Sequence, residues 1–279
     1  MAHEQVFARI YRQIVRNKGL LPGLPGLALR LREVVANPQH SLEDLARMVQ
    51  TDPGATAYLL QVANSALFTT RLPAQDVKSA IRRFGIPVTR NLILAYSARQ
   101  LFSKQPEAIE RAMAAIWKAS VLRSAHATLL AVAVGLDGDR ALLAALLEEV
   151  GSLPVMTWLV NERGQLPPPV VLRKFLHALT PRVSALLLQR WGLDDAMVDV
   201  ALHANEPERK HDGPVDLVDV VCVARLLWQL DVGMLEQWPG VGDVPALVHF
   251  GDSLKDRDSA RAMLEASRQK VMEIQRLLH

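Results

Sequence analysis

Glu148 and Glu149 stand side by side in AALLEEVGSL, residues 144–153, at the end of an apolar run and just before Val150-Gly151. Carboxylates in apolar surroundings are expensive to bury unless a cation or a metal balances them, and such pairs cluster at functional sites. The sharp reading is an active-site acidic pair, able to ligate a metal; the bland one is the wet end of a helix. Eight histidines could add ligands: His126 precedes Glu148 by 22 residues, and His177 and His203 follow it. No two histidines fall three or four apart, the spacing that preassembles a zinc pair on one helix. A site assembled from separate helices stays open. The single cysteine, Cys222 in VDVVCVARLL, excludes an intrachain disulfide and a thiolate-based zinc site, and it reads as a buried structural thiol. The chain contains no G-x-S-x-G, Walker or G-x-G-x-x-G motif.

The elements that must position these groups are helices. Phe7, Ile10, Tyr11 and Ile14 recur at helical spacing over 4–16, and Gly19, Pro22 and Pro25 break the run. A second helix carries Leu27, Leu31, Val34 and Val35, and Asn37-Pro38 ends it. Ser41, followed by Leu42, Glu43 and Asp44, caps a helix reaching about Gln50, and Asp52-Pro53 starts the next, striped by Ala55, Leu59, Val62 and Ala63. Further helical runs cover 77–84, 87–101 and 109–134, with a turn at 135–139. ALLAALLEEV is apolar on nearly all sides before Glu148, so it belongs at the centre of the core. Pro167–Pro169 interrupt the chain ahead of VVLRKFLHAL, PRVSALLLQRWG, DDAMVDVALHANEP and VDLVDVVCVARLLWQL. PERKHDGP at 207–214 is a polar exposed loop, 232–253 is the least regular stretch, and a final helix carries Leu264, Val271, Ile274 and Leu278. The period of two that marks a half-buried strand never appears.

Composition bounds the function. Half of the 279 residues are apolar and 22% are charged, which suits a folded chain with a sizeable core. The 32 basic and 29 acidic residues nearly cancel, leaving +3, too little for a nucleic-acid footprint by itself. The N-terminus lacks a signal-peptide pattern, and no uncharged apolar stretch approaches the ~20 residues of a membrane span. Cytoplasm is the expected location, with no membrane as partner.

Two further clusters admit a binding reading. The stretch 42–64 has helix-turn-helix spacing, but its second helix offers Ala57, Tyr58, Gln61 and Asn64, with no Arg or Lys between Arg47 and Arg71. The phosphate contacts that dominate nucleic-acid affinity are missing, so plain helical packing is favoured and nucleic acid disfavoured. Arg82, Arg83, Arg90 and Arg99 form a basic run whose bland reading is a solvated face. Its sharper reading is a surface for an anionic ligand or a partner.

The order of motifs resembles the HDOD family, regulatory relatives of the HD-type metal-dependent phosphohydrolases. LPGLPGLALRL at 21–31 resembles its opening Leu-Pro motif, and LEDLARMVQTDPGATAYLLQVANSALF at 42–68 its most characteristic block, with Asp52-Pro53 and Asn64-Ser65 in place. VKSAIRRFGIPVTRNLIL at 77–94 resembles the helix pair that follows, and IWKAS at 116–120 with ALLAALLEEVG at 141–151 opens the HD-like half. Catalytic HD enzymes carry a His, then a His-Asp pair, then a distant Asp, which together hold one or two metals. Carried onto this chain, those positions fall at Ala119, at Glu148 and Glu149, and at Arg225, while a further paired-histidine motif becomes His203-Ala204. Alanine cannot ligate and arginine repels a cation, so the resemblance implies no catalytic residue, no metal and no cofactor at these positions. It also suggests that Glu148 or Glu149 pairs with Arg225 in a buried charge-assisted bond.

The expected fold is therefore all-α, an N-terminal helical subdomain over 1–108 packed against a degenerate HD-like half over 109–279. The expected function is non-catalytic signal transduction through a protein partner, a nucleotide-like ligand, or both. Asn64, Ser65, Arg82, Arg83, Arg90, His126 and His203 are the candidate ligand or partner contacts. The alternative is a divergent phosphohydrolase using Glu148, Glu149, His126 or His203.

Overall fold

The computed structural model describes residues 2–17, 19–23, 25–36, 41–65, 68, 73–103 and 105–278. The elements are α1 (Ala2–Arg16), α2 (Gly26–Ala36), α3 (Leu42–Gln50), α4 (Pro53–Ala63), α5 (Val77–Ser103), α6 (Glu107–Ala133), α7 (Gly138–Leu147), α8 (Ser152–Arg163), α9 (Pro169–Arg190), α10 (Asp195–His203), α11 (Leu217–Asp231), a 3-10 helix (Pro245–Leu254) and α12 (Arg257–Leu278). No strand occurs among the described residues, and the fold is all-α. The expected stop at Asn37-Pro38 lies outside the described residues.

Contacts divide the chain into two units: 1–23 with 102–267, and 24–101 with 268–279. This partition differs from a division at 108/109 at both ends of the chain. α1 groups with the helices of 102–267, where Phe7 meets Phe175 of α9 edge-on at 5.7 Å. The last turns of α12 group with the other unit, Leu277 packing on its apolar cluster.

In the 24–101 unit the sequence signals become local structure directly. Ser41 Oγ accepts the Asp44 N–H at 3.3 Å, and the Asp44 carboxylate accepts the Ser41 N–H at 2.8 Å, a reciprocal capping box that starts α3. Asp52 caps α4 by accepting the Ala55 N–H at 2.9 Å, with Pro53 at the first helical position. The same carboxylate oxygen accepts the Tyr96 hydroxyl from α5 at 3.1 Å. Gly54 is needed because a Cβ there would collide with that hydroxyl. Leu45, Val49, Leu59, Val62, Ile81 and Ile93 fill the core between these helices. Gly85, at φ 75° and ψ 168°, breaks α5 where the two separate runs 77–84 and 87–101 were expected to meet.

In the other unit α6, α7 and α11 pack as the central trio, with α8, α9 and α10 against them. The segment 138–163 has the length and apolarity of a membrane span, but 78% of its 18-residue apolar window is buried and it is two helices, α7 and α8, joined by a turn at Glu148–Gly151. α9 runs unbroken through Pro181, so VVLRKFLHAL and PRVSALLLQR form one helix rather than two. The 232–253 stretch is less regular, as expected, and contains most of the 3-10 helix, itself kinked at Gly251.

Candidate functional site

Glu148 and Glu149 follow the last turn of α7, and the turn they begin is fixed from behind. The Gly151 N–H donates to Ser184 Oγ of α9 at 2.8 Å. A Cβ on Gly151 would run into the Ser184 backbone nitrogen and approach Thr180 O to 2.8 Å. Only glycine lets the turn lie this close to α9, and that contact sets where the two carboxylates point.

They point at two guanidiniums. Arg225 of α11 donates through Nη1 to Glu148 Oε1 at 2.9 Å and to Glu149 Oε1 at 3.4 Å. Arg123 of α6 donates through Nη2 to Glu149 Oε2 at 2.6 Å and to Ser120 Oγ at 3.0 Å. Its Nε stands 2.9 Å from Glu148 Oε1 as an ion-pair contact, at an angle that makes no hydrogen bond. The Arg123 guanidinium also lies 5.1 Å from the Trp228 ring centre, a cation–π contact from α11. Arg123 and Glu148 side chains are 2% and 3% exposed, whereas Glu149 at 25% and Arg225 at 13% face the rim. At the rim Arg225 Nη2 donates to Asn205 Oδ1 at 3.0 Å, and Asn205 Nδ2 lies 2.8 Å from His177 Nδ1.

Two positive and two negative groups make the quartet electrically neutral. Burial opposes ionisation of both acids. At Glu149 the guanidiniums of Arg123 and Arg225 override it and hold the carboxyl down at about 2. At Glu148, the deeper of the two, burial wins and pushes the carboxyl above its ordinary value against the pull of Arg225 and Arg123. For Arg225, burial works against its charge, but the two glutamates outweigh it and keep the guanidinium protonated.

This donor set does not fit a metal. Ala119, on α6 one turn before Arg123, offers no ligand atom, and Arg225 brings a fixed positive charge. The carboxylate oxygens facing inward are already claimed by Arg123 and Arg225. A divalent ion would have to displace two guanidiniums from a buried site, and no step of metal chemistry follows from these residues.

The expected Glu148/Glu149–Arg225 pairing is what the structure forms. Sequence reasoning missed Arg123, Asn205 and Trp228. The signal for Arg123 was present: it is the only Arg, Lys, Asp or Glu between Lys118 and Asp137, and a charge in so apolar a helix needs a counter-ion. His126 is buried on α6, its Nε2 unpartnered among the described residues, and burial lowers its pKa to about 4. His203 makes a surface pair with Glu206, 2.9 Å from Nδ1 to Oε2.

The other candidates belong to the 24–101 unit. Asn64 grips the Ala74 backbone at both ends of its amide, donating to the carbonyl at 3.0 Å and accepting the N–H at 2.7 Å. Ser65 Oγ donates to Val62 O at 2.8 Å, and Arg83 donates to Ala63 O. Arg82 and Arg99 are exposed, and Arg90 is half-buried.

The fold and the site together define an all-α chain in which two adjacent glutamates are locked by two arginines. Residues 21–207 match the HDOD domain family, and the chain belongs to it. A crystal structure from Shewanella amazonensis SB2B, provisionally assigned as a metal-dependent phosphohydrolase, superposes with a TM-score of 0.80 at 22% identity, covering 100% of both chains. An HDOD domain protein of unknown function from Geobacter sulfurreducens gives a TM-score of 0.66 at 21% identity over 98% of each chain. Both likenesses are of fold. An uncharacterised protein of Treponema pallidum (strain Nichols) is 26% identical over 203 residues, 67% of this chain, which spans 38% of that protein's length.

Proposed function

We propose that this chain is a non-catalytic signalling module of the HDOD family, acting in the cytoplasm through a protein partner, a nucleotide-like ligand, or both. The observation that carries the reading is the quartet: both carboxylates at the HD positions are bound by guanidiniums, at 2.6–2.9 Å for the closest contacts. An enzyme of the HD type needs about three protein ligands and an open coordination position, and this arrangement supplies neither. What supports a binding role is the rim, where Glu149, Arg225, Asn205 and His177 offer donors and acceptors beside a neutral buried pair.

The test is a phosphodiesterase assay on purified protein with magnesium, manganese, zinc or cobalt added. We expect no turnover above background with any of them. Turnover that Glu149→Gln abolishes would overturn the proposal and support the provisional assignment of the Shewanella relative for this chain as well.

A further inference from the structure

Away from the quartet, three side chains from three separate segments converge on one point. Asp219 sits in the first turn of α11 and is 2% exposed. His211 comes from the loop after α10, and His249 from the 3-10 helix. His211 Nε2 lies 2.8 Å and His249 Nε2 3.6 Å from the same oxygen, Asp219 Oδ2. One ligand atom from each of the three groups lies within 4.8 Å of both others. The two rings are 6.1 Å apart, centre to centre, inclined by 32°.

Part of this arrangement has an ordinary explanation. Asp219 completes the α11 capping box by accepting the Asp216 N–H at Oδ2, 3.1 Å away, and its Oδ1 accepts from Arg209 Nη1 at 3.1 Å. A hydrogen bond explains His211 as well. It does not explain His249, which at 3.6 Å is too far from Oδ2 to share a proton with it. A second imidazole held just beyond hydrogen-bond range of the same carboxylate oxygen is the spacing of ligands that meet through an ion. At metal–ligand bonds of about 2.0–2.2 Å, neighbouring ligand atoms in a tetrahedral site stand roughly 3.3–3.6 Å apart.

The charges agree. Arg209 is bound to Asp216 at 2.6 Å as well as to Asp219, so one cation faces two carboxylates and one negative charge is left over. Two neutral imidazoles and that carboxylate make a borderline ligand set suited to zinc, with a fourth position open to water. We propose that His211, Asp219 and His249 form a divalent transition-metal site of the zinc type, distinct from the HD positions. Binding moves the His211 proton from Nε2 to Nδ1, giving up the 3.3 Å bond that Nδ1 accepts from the Gly213 N–H. The ion replaces the His211–Asp219 hydrogen bond and ties the 205–213 loop and the 3-10 helix to α11. That helix also carries Arg225 of the quartet, six residues or about 9 Å further along its axis.

The experiment titrates zinc and cobalt(II) into the full chain after dialysis against chelator, with calorimetry, melting temperature and the cobalt visible spectrum as readouts. The expected result is one equivalent bound at micromolar Kd or tighter, a rise in Tm, and a four- or five-coordinate cobalt spectrum. His211→Gln and His249→Gln each weaken binding at least tenfold and remove the Tm rise. Both residues are partly exposed and on different segments, so one variant carries the test if the other does not fold. No stoichiometric binding to the folded wild type, or binding that persists unchanged in both variants, overturns the proposal. Glu148→Gln is expected to leave zinc affinity unchanged; loss of binding there would place the ion at the HD positions instead.

Discussion

Arg225 and Glu148 meet across the turn between α7 and α8 with 2.9 Å between Nη1 and Oε1, joining residues 77 positions apart in the chain. The bond places a permanent cation against a carboxylate that is 3% exposed. The charge pattern around it yields predictions that separate a structural lock from a working site.

Removing one cation strands a buried anion. Arg225→Met is expected to destabilise the protein by about 3–5 kcal/mol in urea unfolding followed by tryptophan fluorescence. The double variant with Glu148→Leu should recover part of this, with a coupling energy on the order of 1–3 kcal/mol. A double variant that loses the plain sum of the two singles would show that the pairing contributes nothing.

His126 is held neutral by burial, its pKa lowered from 6.5 to about 4. Between those values the unfolded chain binds the proton and the folded chain does not, so stability falls as pH drops from about 6.5 to about 4. The loss is on the order of 3 kcal/mol. His126→Leu should flatten stability against pH in that window; an unchanged slope would mean that the ring titrates as if in water.

Glu149 acts in a more acid window. Its carboxyl is lowered from 4.5 to about 2, so its stabilising contribution is complete above about 4.5 and is lost as pH falls through about 2. Glu148, raised instead, works in the opposite sense and offsets part of it. Acid titration of Glu149→Gln by circular dichroism should show a shallower decline below 4.5 than wild type. Equal slopes would remove the guanidinium lock from the explanation.

Gly151→Ala should destabilise the chain by about 1–3 kcal/mol, because the added methyl meets the α9 backbone rather than a flexible side chain. Melting temperature reads this directly. A neutral result would mean that the turn can shift, and with it the two glutamates.

Asp52→Ala removes an N-cap and should lower stability by about 1 kcal/mol. Tyr96→Phe removes only the hydroxyl donated to Asp52 and should cost about 0.5–1.5 kcal/mol. If Tyr96→Phe is silent in the Asp52→Ala background and not in wild type, the two act through the same bond.

Most of the helices were legible because caps and apolar spacing are local. Ser41, Asp52-Pro53 and Gly85 each do in the structure what their types imply. α9 was divided in error because Pro181 argues for a break, yet the helix carries on through it. The quartet was half legible. Resemblance placed Glu148, Glu149 and Arg225 at equivalent positions, whereas Arg123 needed the converse argument, that a lone charge in an apolar helix requires a distant anion. The His211–Asp219–His249 convergence left no trace in spacing, since its members lie 8 and 30 residues apart and meet only through the packing of a loop and a 3-10 helix on α11.

The neutrality of the quartet makes it a ratchet. Substituting any one of Arg123, Glu148, Glu149 or Arg225 leaves an odd charge in a mostly dry site, and each such intermediate is destabilised before any metal could bind. Metal chemistry at these glutamates needs at least the two arginines replaced together and further ligands built beside them. Single mutational steps are closed in that direction, while His177, which meets Asn205 and not the quartet itself, can vary without removing a bond to the buried charges.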